Sequence, residues 1–240
     1  MFEGKNFSKK SGLGKVLRLS VMAAIILGFI VSIPLVATAA DTNPVVVPVD
    51  SEYEGLSYGE WSAKWWQWAL SIPAPDNPLL DTSGEKCGEG QSGNVWFLAG
   101  TFGGSAERTC TVPAGKAILF PIINAECSTV EGNGKTEEEL SACAKDLIDH
   151  VRVKEAKVDG MPLIDLNNYR VQSPLFRFRL PPNNILGLSP GSSPSVSDGY
   201  WILLEPLSTG PHTIHFRGVA PFPEFGFTFK TEVTYTLTVE

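Results

Sequence analysis

The sequence predicts a mainly β protein, an antiparallel β-sandwich with a short N-terminal Trp-rich helix and one inserted helix. Three observations carry that prediction. From Phe227 to Val239 large apolar residues fall at alternate positions, with threonines and charges between them, the period of a strand with one wet face. Short apolar runs such as "NVWFLA" (94–99), "KAILFPII" (116–123) and "YWILLE" (200–205) are separated by Gly/Pro/Ser turns, as in sandwiches. Only two stretches carry helix-start signals, at Ser57 and at Thr136.

Before the first of these helices, residues 1–39 read as a signal peptide. Lys5, Lys9, Lys10, Lys15 and Arg18 precede an uncharged apolar run from Leu19 to Ile33, and Ala37-Thr38-Ala39 offers a cleavage site after Ala39. The expectation is export to the periplasm or the extracellular space, with no stable membrane span after cleavage. Residues 40–240 are then expected to form a single β-sandwich domain. The leader holds five of the 19 basic and one of the 26 acidic residues, leaving 14 against 25, a net charge near −11. That balance repels a phosphate backbone and excludes nucleic acid as a partner.

Val45 to Val49 is a candidate edge strand. The Trp-rich helix is expected over about 58–71: Ser57 and Glu60 form an S-x-x-E capping box, and prolines at 73, 75 and 78 stop the helix. Trp61, Trp65, Trp66 and Trp68 crowd this helix. At ~100° per residue, Trp61, Trp65 and Trp68 share one face, which is expected to be core. Trp66 lies apart, to be covered by a loop, a partner or a ligand. The inserted helix, about 137–149, opens on a second capping box, Thr136 and Glu139.

Asp159-Gly160 between "VRVKEAKV" and "MPLIDL" marks a tight hairpin. The stretch "LSPGSSPSVSDG", about 188–199, reads by composition as a flexible loop. Cys87, Cys110, Cys127 and Cys143 form an even set, read in an exported chain as two disulfides. Four cysteines allow three connectivities. The expected one is Cys87–Cys110 with Cys127–Cys143, each closing a local loop. Spacings of 23, 17 and 16 residues lack the close pair of a zinc site.

Two resemblances follow from these segments. "KVDGMPL", then "LSTGPHTIHF" and the Thr-rich last strand, resemble the hairpins of immunoglobulin-like extracellular domains over the last ninety residues or so, and the sandwich as a whole is expected to be immunoglobulin-like or jelly-roll-like. "SYGEWSAKWWQW", "GNVWFLAGTFGG" and "RTCTVPAGKAILFPIINAEC" resemble a group of exported bacterial proteins of unknown function. That second likeness implies no activity.

Motifs for catalysis are scarce. His212 and His215 are three apart on a strand and point to opposite faces, and His150 ends a helix, so all three are expected to be structural. There is no G-x-S-x-G, no phosphate loop and no dinucleotide fingerprint. Asp76, Asn77, Asp81, Ser83 and Glu85 offer oxygens for calcium, but Lys86 stands where a calcium loop needs its glycine. No cofactor and no metal are therefore expected.

Two function classes stay open. Trp66, Tyr200 and Trp201 are the candidate ligand-binding rings, since planar faces suit a carbohydrate or another envelope component, and "PFPEFGF" (221–227) could line a groove. The preferred reading is thus a binding or structural module. The alternative is a secreted polysaccharide hydrolase working through carboxylates such as Asp81, Glu126 and Glu205.

Overall fold

The long C-terminal alternation lies inside its sheet, between two other strands. A computed structural model describes residues 45–240; the expected signal peptide lies outside the described residues. In chain order the elements are α1 (Tyr58–Ser71), β1 (Val95–Phe97), β2 (Gly104–Val112), β3 (Ala117–Ser128), α2 (Glu137–Asp149), β4 (Val153–Val158), β5 (Met161–Pro162), β6 (Arg170–Gln172), β7 (Phe176–Leu180), β8 (Gly191–Leu204), β9 (Gly210–Phe222) and β10 (Phe227–Val239). One sheet runs β2-β10-β9-β4-β5. The other runs β1-β3-β8-β6, with β7 also on β8.

The sheets are mixed, which corrects the antiparallel expectation. β1 pairs in parallel with β3, and β2 in parallel with β10. In both cases the partners lie far enough apart in the chain for a crossover, which parallel pairing requires. Hydrophobic alternation shows which face of a strand is buried but not which strand lies beside it. The segment 188–199 is a second correction: from Gly191 it is strand β8 rather than a flexible loop. Ser193, Ser195 and Ser197 alternate along it and are buried. Their small hydroxyls fit under neighbouring chain and find partners there, Ser193 with Val130 N and Ser195 with the Cys127 carbonyl. The expected strand at 45–49 is reduced to a bridge between Val46 and Leu204.

Three layers result. Ile118, Phe120, Ile202 and Leu204 face the second sheet, where they meet Ile214, Phe216, Val233 and Tyr235. Ala117, Leu119, Trp201 and Leu203 point the other way, into a cluster with α1. A strand covered on both faces has no wet side, so β3 over 117–123 and β8 over 200–204 read as continuous apolar runs. Both helices begin on complete capping boxes, Ser57 with Glu60 and Thr136 with Glu139. Asp159 and Gly160 take positive φ at the β4–β5 turn. The disulfides are Cys87–Cys110 and Cys127–Cys143, which suits an oxidising, extracytoplasmic compartment. No helix among the described residues is long and apolar enough to cross a membrane.

Candidate functional site

The site is assembled around a strand that loses its neighbour. β1 is three residues long and pairs with β3 over Ala117, Ile118 and Leu119 and no further, and one further bond joins Leu98 N to the Leu119 carbonyl. Beyond that point β3 has no strand partner on this side among the described residues. A register shift between Pro121 and Ile123 marks a bulge. It turns both Ile122 and Ile123 into the inter-sheet core, the re-aiming that bulges produce. Gly218 of β9 permits this, since a Cβ there would sit 2.5 Å from the Ile123 Cβ.

Along this free edge runs a cavity of about 280 Å³ lined by residues 121–126 of β3. α1 contributes Trp65 and Trp66, the 100–102 loop one wall, and Ala220, Phe222, Phe227, Phe229 and Thr231 of the second sheet the opposite one. Most of the lining is apolar. Phe102 and Phe227 are half exposed at its margin.

The walls are fixed by hydrogen bonds that the sequence pattern explains only in part. Trp61, Trp65 and Trp68 each donate their indole N–H to a backbone carbonyl, of Tyr53 (2.9 Å), Leu98 (2.9 Å) and Glu89 (2.8 Å). Asn77 is buried at the C-terminal end of α1, where its amide donates to the carbonyls of Ala69 and Ile72. The 99–101 loop is held by Arg108, buried in β2. Its guanidinium donates to the carbonyls of Asp81, Ala99 and Gly100 and to Tyr235 Oη. Tyr235 in turn donates to the Ala99 carbonyl, and burial pushes its phenol up.

Two lining residues have a buried donor without a protein partner: Trp66 at Nε1 and Asn124 at Nδ2. The other two such donors among the described residues, in Trp96 and Trp201, do not line the cavity. A buried N–H without an acceptor costs ~1–3 kcal/mol, so folds seldom keep one without a use. Gly199 lets Asn124 lie flat on β8, since a Cβ there would meet the Asn124 Cβ at 2.7 Å and Trp201 Nε1 at 2.9 Å.

The polar end is a carboxyl pair. Glu126 on β3 is hydrogen-bonded to Glu131 and accepts from Ser195 Oγ. Glu131 also accepts from Ser128 Oγ at 2.6 Å. Burial, then the hydrogen bond and charge of Glu131, push the Glu126 carboxyl up to about 9, against the opposing pull of Ser195. At neutral pH Glu126 is therefore held as the neutral carboxylic acid.

The structure separates the three candidate rings. Trp66 lines the cavity. Tyr200 is buried between the sheets under Lys154, whose Nζ lies 4.6 Å from the ring centroid. Trp201 faces the other way, with its ring 5.4 Å from that of Trp65. Among the three carboxylates, Glu126 lines the cavity, whereas Asp81 and Glu205 do not. Asp81 instead accepts from Ser83 N, Ser83 Oγ and Lys86 N within its own turn, and Asp76 pairs with Lys86. Asn77 serves the helix end. His212 sits against Asp159, His215 against Thr234 and His150 against Phe222.

Asn124 and Glu131 are the site residues that sequence reasoning missed. Asn124 had a signal: it is a polar residue inside the apolar run "FPIINA", where burial demands a reason. Phe222 and Phe227 come from the flagged "PFPEFGF" stretch. No protein family, curated protein or solved structure matches the chain.

Proposed function

We propose that the protein is an exported binding module, placed in the periplasm or outside the cell, whose cavity beside Trp66 takes a small ligand with an apolar body and an acceptor oxygen. The observation that carries this reading is the apolar cavity in which Trp66 and Asn124 each keep a buried N–H without a partner. Binding sites combine apolar walls with a few placed polar groups in this way. An oxygen on the ligand would satisfy donors that the fold leaves open. The lining favours an apolar envelope component over a carbohydrate, whose many hydroxyls need polar walls. The disulfides and the basic, apolar and A-x-A order of residues 1–39 support export. So does the resemblance of the N-terminal half to exported bacterial proteins.

A polysaccharide hydrolase is the second reading, and Glu126 with Glu131 is what favours it. The two carboxyls are in direct hydrogen bond, closer than the ~5–9.5 Å that glycosidases hold between theirs. Binding is therefore the stronger reading.

The test is a fluorescence titration of the mature protein with N-phenyl-1-naphthylamine, a neutral apolar probe, beside a polysaccharide panel scored for cleavage. The proposal expects saturable binding, weakened when Ala220→Phe or Ala125→Phe fills the cavity in a variant that still melts cooperatively. No saturable binding, together with cleavage of a polysaccharide, would replace this reading with the hydrolase.

A further inference from the structure

Glu126 and Glu131 are the only ionisable side chains lining the cavity. Glu126 keeps its proton beside Glu131 in an otherwise apolar place. No lysine, arginine or histidine lines the cavity to balance them. Of the charged groups on the elements packed against β3, several are paired elsewhere, and Glu137, Asp146 and Lys157 are exposed. Asp198 of β8 pairs with Arg170, Lys145 of α2 with Asp149, and Arg217 of β9 with Glu155. Lys154 of β4 lies over Tyr200, and on α1 Glu60 caps its helix while Lys64 is exposed.

What would such a pair take? An anion is repelled. A neutral oxygen can accept a proton from Glu126 only by breaking the bond to Glu131. An ammonium group does better, because its three N–H donors reach both carboxylates and its charge replaces that of the Glu126 proton. The surroundings suit the rest of such a ligand. Trp65, Trp66, Phe102, Phe222, Phe227 and Phe229 line the same cavity, and their rings pack against an apolar body. Glu131 is exposed and Glu126 half-buried, so a charged head keeps some hydration while the carbon body enters. Trp66, only 8% exposed and with its N–H unpartnered, independently marks the same cavity for a ligand.

We infer that the cavity selects amphiphilic amines, with the protonated amine held between Glu126 and Glu131 and the apolar body, carrying the acceptor oxygen that Trp66 and Asn124 leave room for, among the aromatic rings. This rests on the reading of the cavity as a ligand site. The proton balance is explicit: the ammonium enters with its own protons, Glu126 gives its proton to solvent, and both carboxylates are ionised in the complex.

Three matched probes test it: 4-phenylbutylamine, 4-phenylbutan-1-ol and 4-phenylbutanoate, titrated calorimetrically in buffers of different ionisation enthalpy. Near pH 8 the amine is expected to bind at least about tenfold tighter than the alcohol, one charge-assisted contact's worth, and the carboxylate weakest. Between about pH 6 and 8 amine affinity should rise by up to ~10-fold per pH unit as one proton is released, while the alcohol stays level. Glu126→Gln and Glu131→Gln should each bring the amine-to-alcohol ratio close to one, and the distant Glu205→Gln should leave it unchanged. Alcohol binding with no amine preference, a flat amine profile, or a preference that survives both glutamine variants would overturn the inference alone. No binding of any of the three would overturn the ligand-site reading with it.

Discussion

Trp65 and Trp66 are neighbours on one helix, and their surroundings differ in kind. Trp65 is fully buried, donates to the Leu98 carbonyl at 2.9 Å, and touches Trp66, Trp68 and Trp201 with ring centroids 5.1, 5.7 and 5.4 Å away. Trp66 is nearly as buried, yet its N–H has no protein partner and its ring borders a cavity. Trp61 and Trp68 belong with Trp65, since each is tied to a backbone carbonyl of a flanking segment. Area removed from water is therefore a poor guide to role. What separates the closed face of α1 from the open one is whether the polar tip of each indole ends on the protein.

That contrast can be broken or sharpened by experiment. The largest effect is expected for Trp65→Ala, about 3–5 kcal/mol of stability by urea or thermal melts, with Trp66→Ala costing clearly less. Equal, small losses would mean that α1 is not core. Removing either disulfide by paired Cys→Ser change should cost about 3 kcal/mol in the chain-entropy view, since the closed loops are of similar length; melting with and without reductant checks it.

Acid–base behaviour comes next. Glu126 has its folded carboxyl raised to about 9 from an ordinary 4.5, so the folded state holds the extra proton. Its contribution is present in full below about 4.5, and is lost as pH rises towards about 9. The slope is at most ~1.4 kcal/mol per pH unit for one proton. Glu126→Gln should flatten that part of the stability profile, and an unchanged slope would place the proton elsewhere. The smallest effect separates the two indoles directly. Trp65→Phe strands the Leu98 carbonyl and should cost about 1–3 kcal/mol, whereas Trp66→Phe removes only an unpartnered donor and should change stability by less than about 0.5 kcal/mol or raise it.

Much of the fold was legible because its rules are local. The capping boxes at Ser57 and Thr136, the Asp159-Gly160 turn and the alternation of β10 depend on residues within a few positions of one another. The wheel of α1 likewise set Trp66 apart from the other three indoles. What escaped depended on distant partners. Ser193, Ser195 and Ser197 belong to a strand only because β3, β7 and the chain around Val130 meet them, so composition misread that stretch. The cavity exists because β1 stops at Phe97 while β3 continues to Ser128, a mismatch that neither strand announces. Glu126 was within reach as a carboxylate near a strand end, but its partner was not. The turn that brings Glu131 back depends on Asn133 accepting from Ser128 N and on Thr129 N reaching the Pro194 carbonyl.

The central claim is that the cavity beside Trp66 is a ligand site, and the indole N–H resonances test it most directly. Six tryptophans give six such signals in a 15N–1H spectrum, assignable by single Trp→Phe changes. On titration with 4-phenylbutan-2-one, a small apolar ketone, the Trp66 signal should shift saturably downfield as its N–H gains an acceptor. Those of Trp61, Trp65 and Trp68, already tied to carbonyls, should stay in place. Saturable binding that leaves Trp66 unmoved, or no binding at millimolar ketone, would contradict the account.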